Sequence, residues 1–289
     1  MNYQWYPGHM TKAKRMMEEN IKLIDLVIEL VDSRIPESSR NPDIDTLARG
    51  KARMILLNKS DLSNEGCNAI WEEYYKNKGI TVVKINSRDR SSVKAVNNAV
   101  AIACKEKIER DRKRGIINRP VKAMVVGIPN VGKSTFINAL AGKACAKTGD
   151  KPGVTKGKQW IKLNKGVELL DTPGILWPKF ENKEVGKKLA FIGSINDAIL
   201  DPEELACELI DSLRNVAPGK IAERYEISEE GKAYEVLAEV ARARRCLLKG
   251  EELDTKKAAM ILLDDYRSGK IGRITLELPE KEVQEEQDK

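Results

Sequence analysis

Short apolar runs recur through the first 170 residues, at 26–31 (LVIELV), 53–57 (RMILL), 81–85 (TVVKI), 122–126 (KAMVV), 159–163 (QWIKL) and 167–170 (VELL). They are rich in β-branched and aliphatic residues, and most are bounded by Asn, Asp, Gly or Ser, which predicts six strands. Between them the spacing becomes helical. Over residues 12–24, Ala13, Met16, Met17, Asn20 and Ile24 share a face at i, i+3 and i+4 intervals. Strand and helix patterns in alternation predict an α/β fold with a mostly parallel six-stranded sheet.

Residues 105–119 (KEKIERDRKRGIINR) are densely charged and end at Pro120, the pattern of an exposed helix and linker. After Pro178 the pattern is helix upon helix. Asp201-Pro202-Glu203-Glu204 combines a capping side chain, a proline suited to the first helical position and two early carboxylates. Leu205, Leu209 and Leu213 follow at i+4. Residues 255–268 place Ala258, Ile261, Leu262 and Tyr266 on one face and stop at Gly269. The division predicted is residues 1–178 as an α/β domain, 179–278 as an all-α domain, and 279–289 as a frayed acidic tail.

A length of 289 residues suits two domains, each with its own core. The hydrophobic share of 41% beside 33% charged residues excludes collagenous and wholly disordered classes. No apolar run reaches the ~18 residues of a membrane span, and the start MNYQWYPGHM lacks the layout of a secretory signal. Cys67, Cys104, Cys145, Cys207 and Cys246 are odd in number and far apart, without zinc or disulfide spacing. A cytoplasmic chain without a membrane partner is expected. The net charge of +7 conceals an asymmetry: residues 1–178 hold 32 Lys+Arg against 19 Asp+Glu, and residues 179–289 hold 19 against 25. A front half at +13 fits either a polyanionic partner such as nucleic acid or a well-solvated surface.

Gly127-Ile128-Pro129-Asn130-Val131-Gly132-Lys133-Ser134-Thr135 follows the fourth strand pattern and opens an apolar helical one, matching G-x-x-x-x-G-K-[ST]. Gly127 and Gly132 let the backbone wrap phosphates. The N–H groups across Asn130, Val131, Gly132, Lys133, Ser134 and Thr135 then face the negative charge. Lys133 is expected to reach the β- and γ-phosphates and Ser134 to ligate Mg²⁺. Asp171-Thr172-Pro173-Gly174 closes the sixth strand, with Asp171 placed to hold Mg²⁺ and Gly174 to meet the γ-phosphate. Thr155, in Pro152-Gly153-Val154-Thr155, would complete the metal shell.

Asn58-Lys59-Ser60-Asp61 follows the second strand pattern. The Asp61 carboxylate can accept from the N1–H and exocyclic amine of guanine, whereas adenine would face it with a lone pair, at a cost of ~1–3 kcal/mol. Asn58 and Lys59 would brace the loop and cover the base. Asn86-Ser87-Arg88, after the third strand, is expected to give the base a backbone N–H. The order of these motifs is unusual, because base recognition precedes the phosphate loop. That order describes a circularly permuted P-loop GTPase domain, a rearrangement tolerated because domain termini lie at the surface.

This order, with Trp5-Tyr6-Pro7-Gly8-His9-Met10, Asp32-Ser33-Arg34-Ile35-Pro36, Asp171-Thr172-Pro173-Gly174-Ile175-Leu176-Trp177-Pro178 and Arg244-Arg245-Cys246-Leu247, resembles the YlqF/RbgA family of circularly permuted GTPases over nearly the whole chain. The resemblance implies a monomeric GTP-hydrolysing factor that binds the large ribosomal subunit and its rRNA late in maturation, with hydrolysis stimulated by the ribosome. The alternative is a GTP-gated RNA- or protein-binding scaffold whose hydrolysis is incidental. Ile175 stands where Ras-like enzymes place the Gln that orients water, and the resemblance gives that task to His9, the only histidine. Asn130, in its G-x-P-N-V-G-K-S loop, resembles the K⁺ ligand of cation-activated GTPases, which implies K⁺ stimulation. The family resemblance implies an RNA-binding face at Arg242, Arg244, Arg245, Lys249, Arg267, Lys270 and Arg273. Arg34 in the Asp32–Pro36 turn is either a tie for the N-terminal segment or an ordinary solvated arginine.

Overall fold

A computed structural model of the chain describes residues 8–117, 119–142, 159–164, 166–177, 180 and 182–279, apart from the side chains of His9, Gln159 and Asn164. The order of elements is α1 (Gly8–Asn20), β1 (Leu26–Asp32), α2 (Asp43–Leu47), β2 (Ala52–Asn58), α3 (Glu65–Asn77), β3 (Thr81–Lys84), α4 (Arg90–Ala103), α5 (Lys105–Lys113), β4 (Val121–Val126), α6 (Lys133–Ala141), β5 (Gln159–Asn164), β6 (Val167–Asp171), α7 (Lys183–Phe191), α8 (Pro202–Val216), α9 (Lys220–Tyr225), α10 (Ala233–Ala243) and α11 (Thr255–Arg267).

Six strands form one sheet in the order β3-β2-β1-β4-β6-β5. All pairings are parallel except β5 with β6. All seven residues of β1 are buried, as expected for a central strand with both faces covered. On one face Val31, Ile55, Leu57 and Val82 meet Trp71 and Tyr75 of α3. On the other, Leu30, Met54, Leu56 and Val125 join Val96 and Val100 of α4 and Phe136 of α6. From β1 the connections run outward to β2 and β3, while β4 opens the opposite half with β6. The loops after β1, β2, β3, β4 and β6 therefore emerge at one end of the sheet, around the β1/β4 switch point where such sheets bind ligands.

α1 begins a turn earlier than the 12–24 spacing predicts and gives way to a 3₁₀ turn at Ile21–Leu23. The earlier start buries Met10 beside Ala13 and Met17, so His9 lies in a helical first turn rather than in a loop. β3 stops one residue short of the expected run, at Lys84. α5 covers only the first nine residues of the charged stretch; Lys107 pairs with both Asp25 and Asp111, tying the helix to the start of β1.

α7 to α11 pack on one another through Leu189, Leu205, Leu209, Leu213, Val240 and Leu262, all essentially buried. Each such side chain contributes ~1.5–3 kcal/mol through burial. The Asp201 carboxylate caps α8, accepting from the N–H groups of Glu203 and Glu204 at 2.9 Å, worth ~1 kcal/mol. Residues 273–277, counted with the helices on sequence grounds, form neither helix nor strand and bond to the loops that follow β1 and β2 through the Leu276 and Ile274 N–H groups. Among the described residues no helix is long and apolar enough to cross a membrane, and Cys67, Cys104, Cys207 and Cys246 are unpaired thiols.

Candidate functional site

The loop from β4 to α6 is held in a phosphate-loop form by three left-handed backbone positions, Gly127 (φ 150°), Asn130 (φ 58°) and Gly132 (φ 102°). A Cβ on Gly127 would stand 2.6 Å from the Leu30 carbonyl oxygen, and one on Gly132 would stand 2.5 Å from Asn58 Nδ2. Both positions thus need glycine for space as well as for φ. Lys133 Nζ donates to the carbonyls of Gly127 (3.1 Å) and Ile128 (2.8 Å). Burial depresses its pKa to about 8, against the opposing pull of Asp171.

The base loop is stitched to the phosphate loop. Asn58 Nδ2 donates to the Val131 carbonyl at 2.7 Å, and Lys59 Nζ donates to the Asn130 carbonyl at 2.9 Å. Asn58 Oδ1 accepts from both the N–H and the hydroxyl of Ser87, at 3.0 and 2.8 Å. The loops after β2, β3 and β4 thereby form one bonded unit, from which the Asp61 side chain stands out exposed. In the loop at 86–88 the N–H groups of Asn86, Ser87 and Arg88 donate to Ser92 Oγ, Asn58 Oδ1 and Asn86 Oδ1, so that Ser87 braces Asn58.

Asp171 ends β6 beside the phosphate loop, 1% exposed, and its Oδ1 has no hydrogen-bond partner. Burial raises its carboxyl to about 6, which the Lys133 ammonium partly offsets. An unpartnered buried carboxylate oxygen is costly unless a cation or donor reaches it, so the residues present fit Mg²⁺ with Asp171 and Ser134 as the protein groups. Among the described residues no cluster of three His, Cys, Asp or Glu side chains offers another metal site. Gly174 lies against the phosphate loop so closely that a Cβ would meet Pro129 N and Cα and Lys133 Nζ, each at 2.8 Å. The expected ligand Thr155 lies outside the described residues, as does the side chain of His9. Ile175, 2% exposed, is buried beside this loop and its N–H donates to the Gly127 carbonyl.

These features agree with the comparisons. Residues 122–239 match the family described as "50S ribosome-binding GTPase". Ribosome biogenesis GTPase A of Bacillus cereus is 45% identical over 282 residues, which cover 97% of this chain and 95% of that protein. The chain belongs to the ribosome biogenesis GTPase A family. Among solved structures, GDP-bound TM YlqF superposes with a TM-score of 0.70 at 26% identity, covering 92% of this chain and 99% of that one. GNP-bound YlqF from T. maritima gives 0.66 at 28%, covering 93% and 99%. The chain is thus a GTPase of the ribosome biogenesis class, and its P-loop domain is circularly permuted.

In this member of the ribosome biogenesis GTPase A family the helical elements touch the nucleotide loops directly. Asn130 Nδ2 donates to the Gly193 carbonyl at 2.7 Å, and the Ser194 hydroxyl donates to the Pro129 carbonyl at 2.8 Å. Sequence reasoning missed both, since a Gly-Ser pair after a helix carries no signal. Arg34 fits neither sequence reading. It is 1% exposed and donates from Nε and Nη2 to the Asp32 carboxylate at 2.8 and 2.7 Å, with Nη1 reaching the Arg267 carbonyl. Burial alone would raise the Asp32 carboxyl, but Arg34 and Lys59 hold it well below the usual carboxylate range. Removing one partner of so buried a pair costs ~3–5 kcal/mol.

The arginines and lysines expected on an RNA face divide into two groups. Arg267 donates to the carbonyls of Ala190 and Phe191 and pairs through two nitrogens with Asp197. Arg273 grips the base loop. Both therefore spend their guanidinium groups inside the chain. Arg244 and Lys270 surround the buried Asp265 together with Arg224, and Arg242 pairs with Glu239. Arg245 and Lys249 are exposed on the turn beyond α10.

Proposed function

We propose that this chain binds GTP across the loops after β2, β4 and β6 and hydrolyses it when docked on the large ribosomal subunit. The observation that carries this reading is the joining of the base and phosphate loops through Asn58 and Lys59, with the helical elements bonded to the same phosphate loop at Gly193 and Ser194. Asp61 takes the guanine edge. The N–H groups from Asn130 to Thr135 surround the phosphates, and Lys133 moves from the Gly127 and Ile128 carbonyls to the β- and γ-phosphates. Ser134, Asp171 and Thr155 hold Mg²⁺, which supplies positive charge to the phosphoryl oxygens when bound. Gly174, pressed against Pro129, presents its N–H where the γ-phosphate arrives.

Buried Ile175 has no side-chain hydrogen-bonding group for the attacking water, so turnover by the chain alone is slow. His9 takes the water-orienting role, and Asn130 would hold K⁺, which would supply further positive charge near the phosphates. Arg242, Arg244, Arg245, Lys249 and Lys270 meet rRNA phosphates, a local patch on an otherwise acidic half. The chain works as a monomer in the cytoplasm.

Phosphate release measured with and without purified large subunits, in K⁺ and in Na⁺, tests this reading. Subunits are expected to raise turnover at least tenfold, and K⁺ to exceed Na⁺. Turnover indifferent to subunits would favour the scaffold alternative, and equal rates in the two salts would remove the K⁺ role. His9→Ala is expected to leave GTP affinity within about threefold while slowing stimulated turnover about a hundredfold. Loss of binding would instead make His9 structural.

A further inference from the structure

The loop that carries Asp61 leaves the sheet at Asn58, passes through a left-handed residue at Lys59 (φ 59°) and rejoins regular structure only at α3. Local bonds hold part of it: the Ser60 N–H and hydroxyl donate to the Ile85 carbonyl, the Leu62 N–H to the Lys59 carbonyl, and Ser63 Oγ and Asn68 Nδ2 to the Ser60 carbonyl. Its carbonyls are held as well from the far end of the chain. Arg273 Nη2 donates to the Ser60 carbonyl at 3.0 Å and Arg273 Nε to the Ser63 carbonyl at 2.9 Å, so one planar guanidinium bridges the carbonyls that flank Asp61 and Leu62. Its Nη2 also donates to Glu65 at 3.1 Å. The Ile274 N–H donates to the Leu62 carbonyl at 3.1 Å, and Thr275 Oγ1 accepts from the Asn64 N–H at 3.1 Å. Leu62 also packs against Gly269, where an added Cβ would come within 2.7 Å of its Cδ2.

The segment that makes these contacts is anchored beyond them. The Leu276 N–H donates to the Arg34 carbonyl at 2.8 Å. The Glu277 carboxylate accepts from the N–H groups of Glu37 and Ser38 and from Lys188, and its carbonyl accepts from Trp71 Nε1. A carboxylate that must meet two donors on one purine edge needs its backbone fixed closely, because small misplacements weaken both bonds together.

We infer that residues 273–277 are a strap that completes the guanine site, with Arg273 and Thr275 as positioning residues for Asp61. The inference rests on Asp61 being the guanine ligand. It gives Arg273 a role in base selection in place of RNA contact, and it makes base affinity depend on how the C-terminal segment is seated.

Inosine diphosphate, which lacks the exocyclic amine of guanine, separates this role from general stability. Calorimetric titration of the full chain with GDP and IDP is expected to show GDP preferred at least tenfold. In Arg273→Ala, GDP is expected to weaken about tenfold and IDP about threefold, so that the preference shrinks. Arg273→Lys, which keeps the charge but lacks the fork, should lie between the two. Thr275→Val, nearly isosteric, should shift the ratio the same way by about threefold, and it keeps the test open should Arg273→Ala fold poorly. A wild-type preference left intact in Arg273→Lys and Thr275→Val overturns the strap. A wild type that does not distinguish GDP from IDP overturns the Asp61 assignment itself.

Discussion

Asp61→Asn is expected to weaken GTP and GDP binding by about a hundredfold or more and to transfer that affinity to xanthosine nucleotides. The carboxylate offers two acceptors to two donors of guanine, each charge-assisted bond contributing ~1.5–3 kcal/mol. An Asn keeps one acceptor and turns the other into a donor. That donor faces the guanine amine but suits the carbonyl that xanthine carries in its place. Because Asp61 is exposed and bonded neighbours hold the loop, the substitution should leave the fold alone. Calorimetry with GDP and xanthosine diphosphate reads it out. Unchanged GDP affinity would remove Asp61 from the base site.

Lys133→Ala is expected to lower subunit-stimulated GTP turnover about a thousandfold. The Lys133 ammonium lies buried between the Gly127 and Ile128 carbonyls and faces the Asp171 carboxylate. It is thus a fixed cation beside the carboxylate proposed to hold Mg²⁺, and is expected to need only a short movement to reach the phosphates. Truncation removes charge stabilisation at the transferred phosphoryl group and leaves Asp171 without its cationic neighbour. Single-turnover phosphate release at saturating GTP is the appropriate measure. A rate within tenfold of wild type would show that the phosphoryl group reacts elsewhere.

The sheet and the nucleotide loops were legible because their signals are local. Burial on both faces makes strands read as apolar runs, and phosphate binding demands Gly127, Gly132 and Lys133 at fixed spacing. The order β3-β2-β1-β4-β6-β5 and the reversed direction of β5 depend on pairings that no periodicity encodes. The 12–24 spacing starts α1 a turn late because Met10, which the first turn buries, precedes the periodic run. Arg267 and Arg273 looked like surface cations because their partners lie about 70 to 210 residues away in sequence. Arg34 instead pairs with Asp32 only two residues away, and its burial comes from the fold around it. The charge asymmetry marked out the front half but left its meaning open between a polyanionic partner and a solvated surface, and the seam between helices and loops became visible only in three dimensions.

That seam explains why permutation suits this chain. With β6 last, the Gly174 loop leads into the helices; Gly193 and Ser194 return to the phosphate loop, Arg273 to the base loop, and the Arg267 carbonyl to Arg34 in the loop after β1. The helical elements are then mechanically continuous with both the phosphate loop and the base loop.

A crystal structure of the chain with Mg²⁺ and a non-hydrolysable GTP analogue is the most direct measurement. One nucleotide should lie across the end of the sheet, its N1–H and amine on Asp61 and its terminal phosphates on Lys133 and Ser134. A nucleotide whose base sits away from Asp61 while its phosphates occupy the 127–134 loop would contradict the shared pocket.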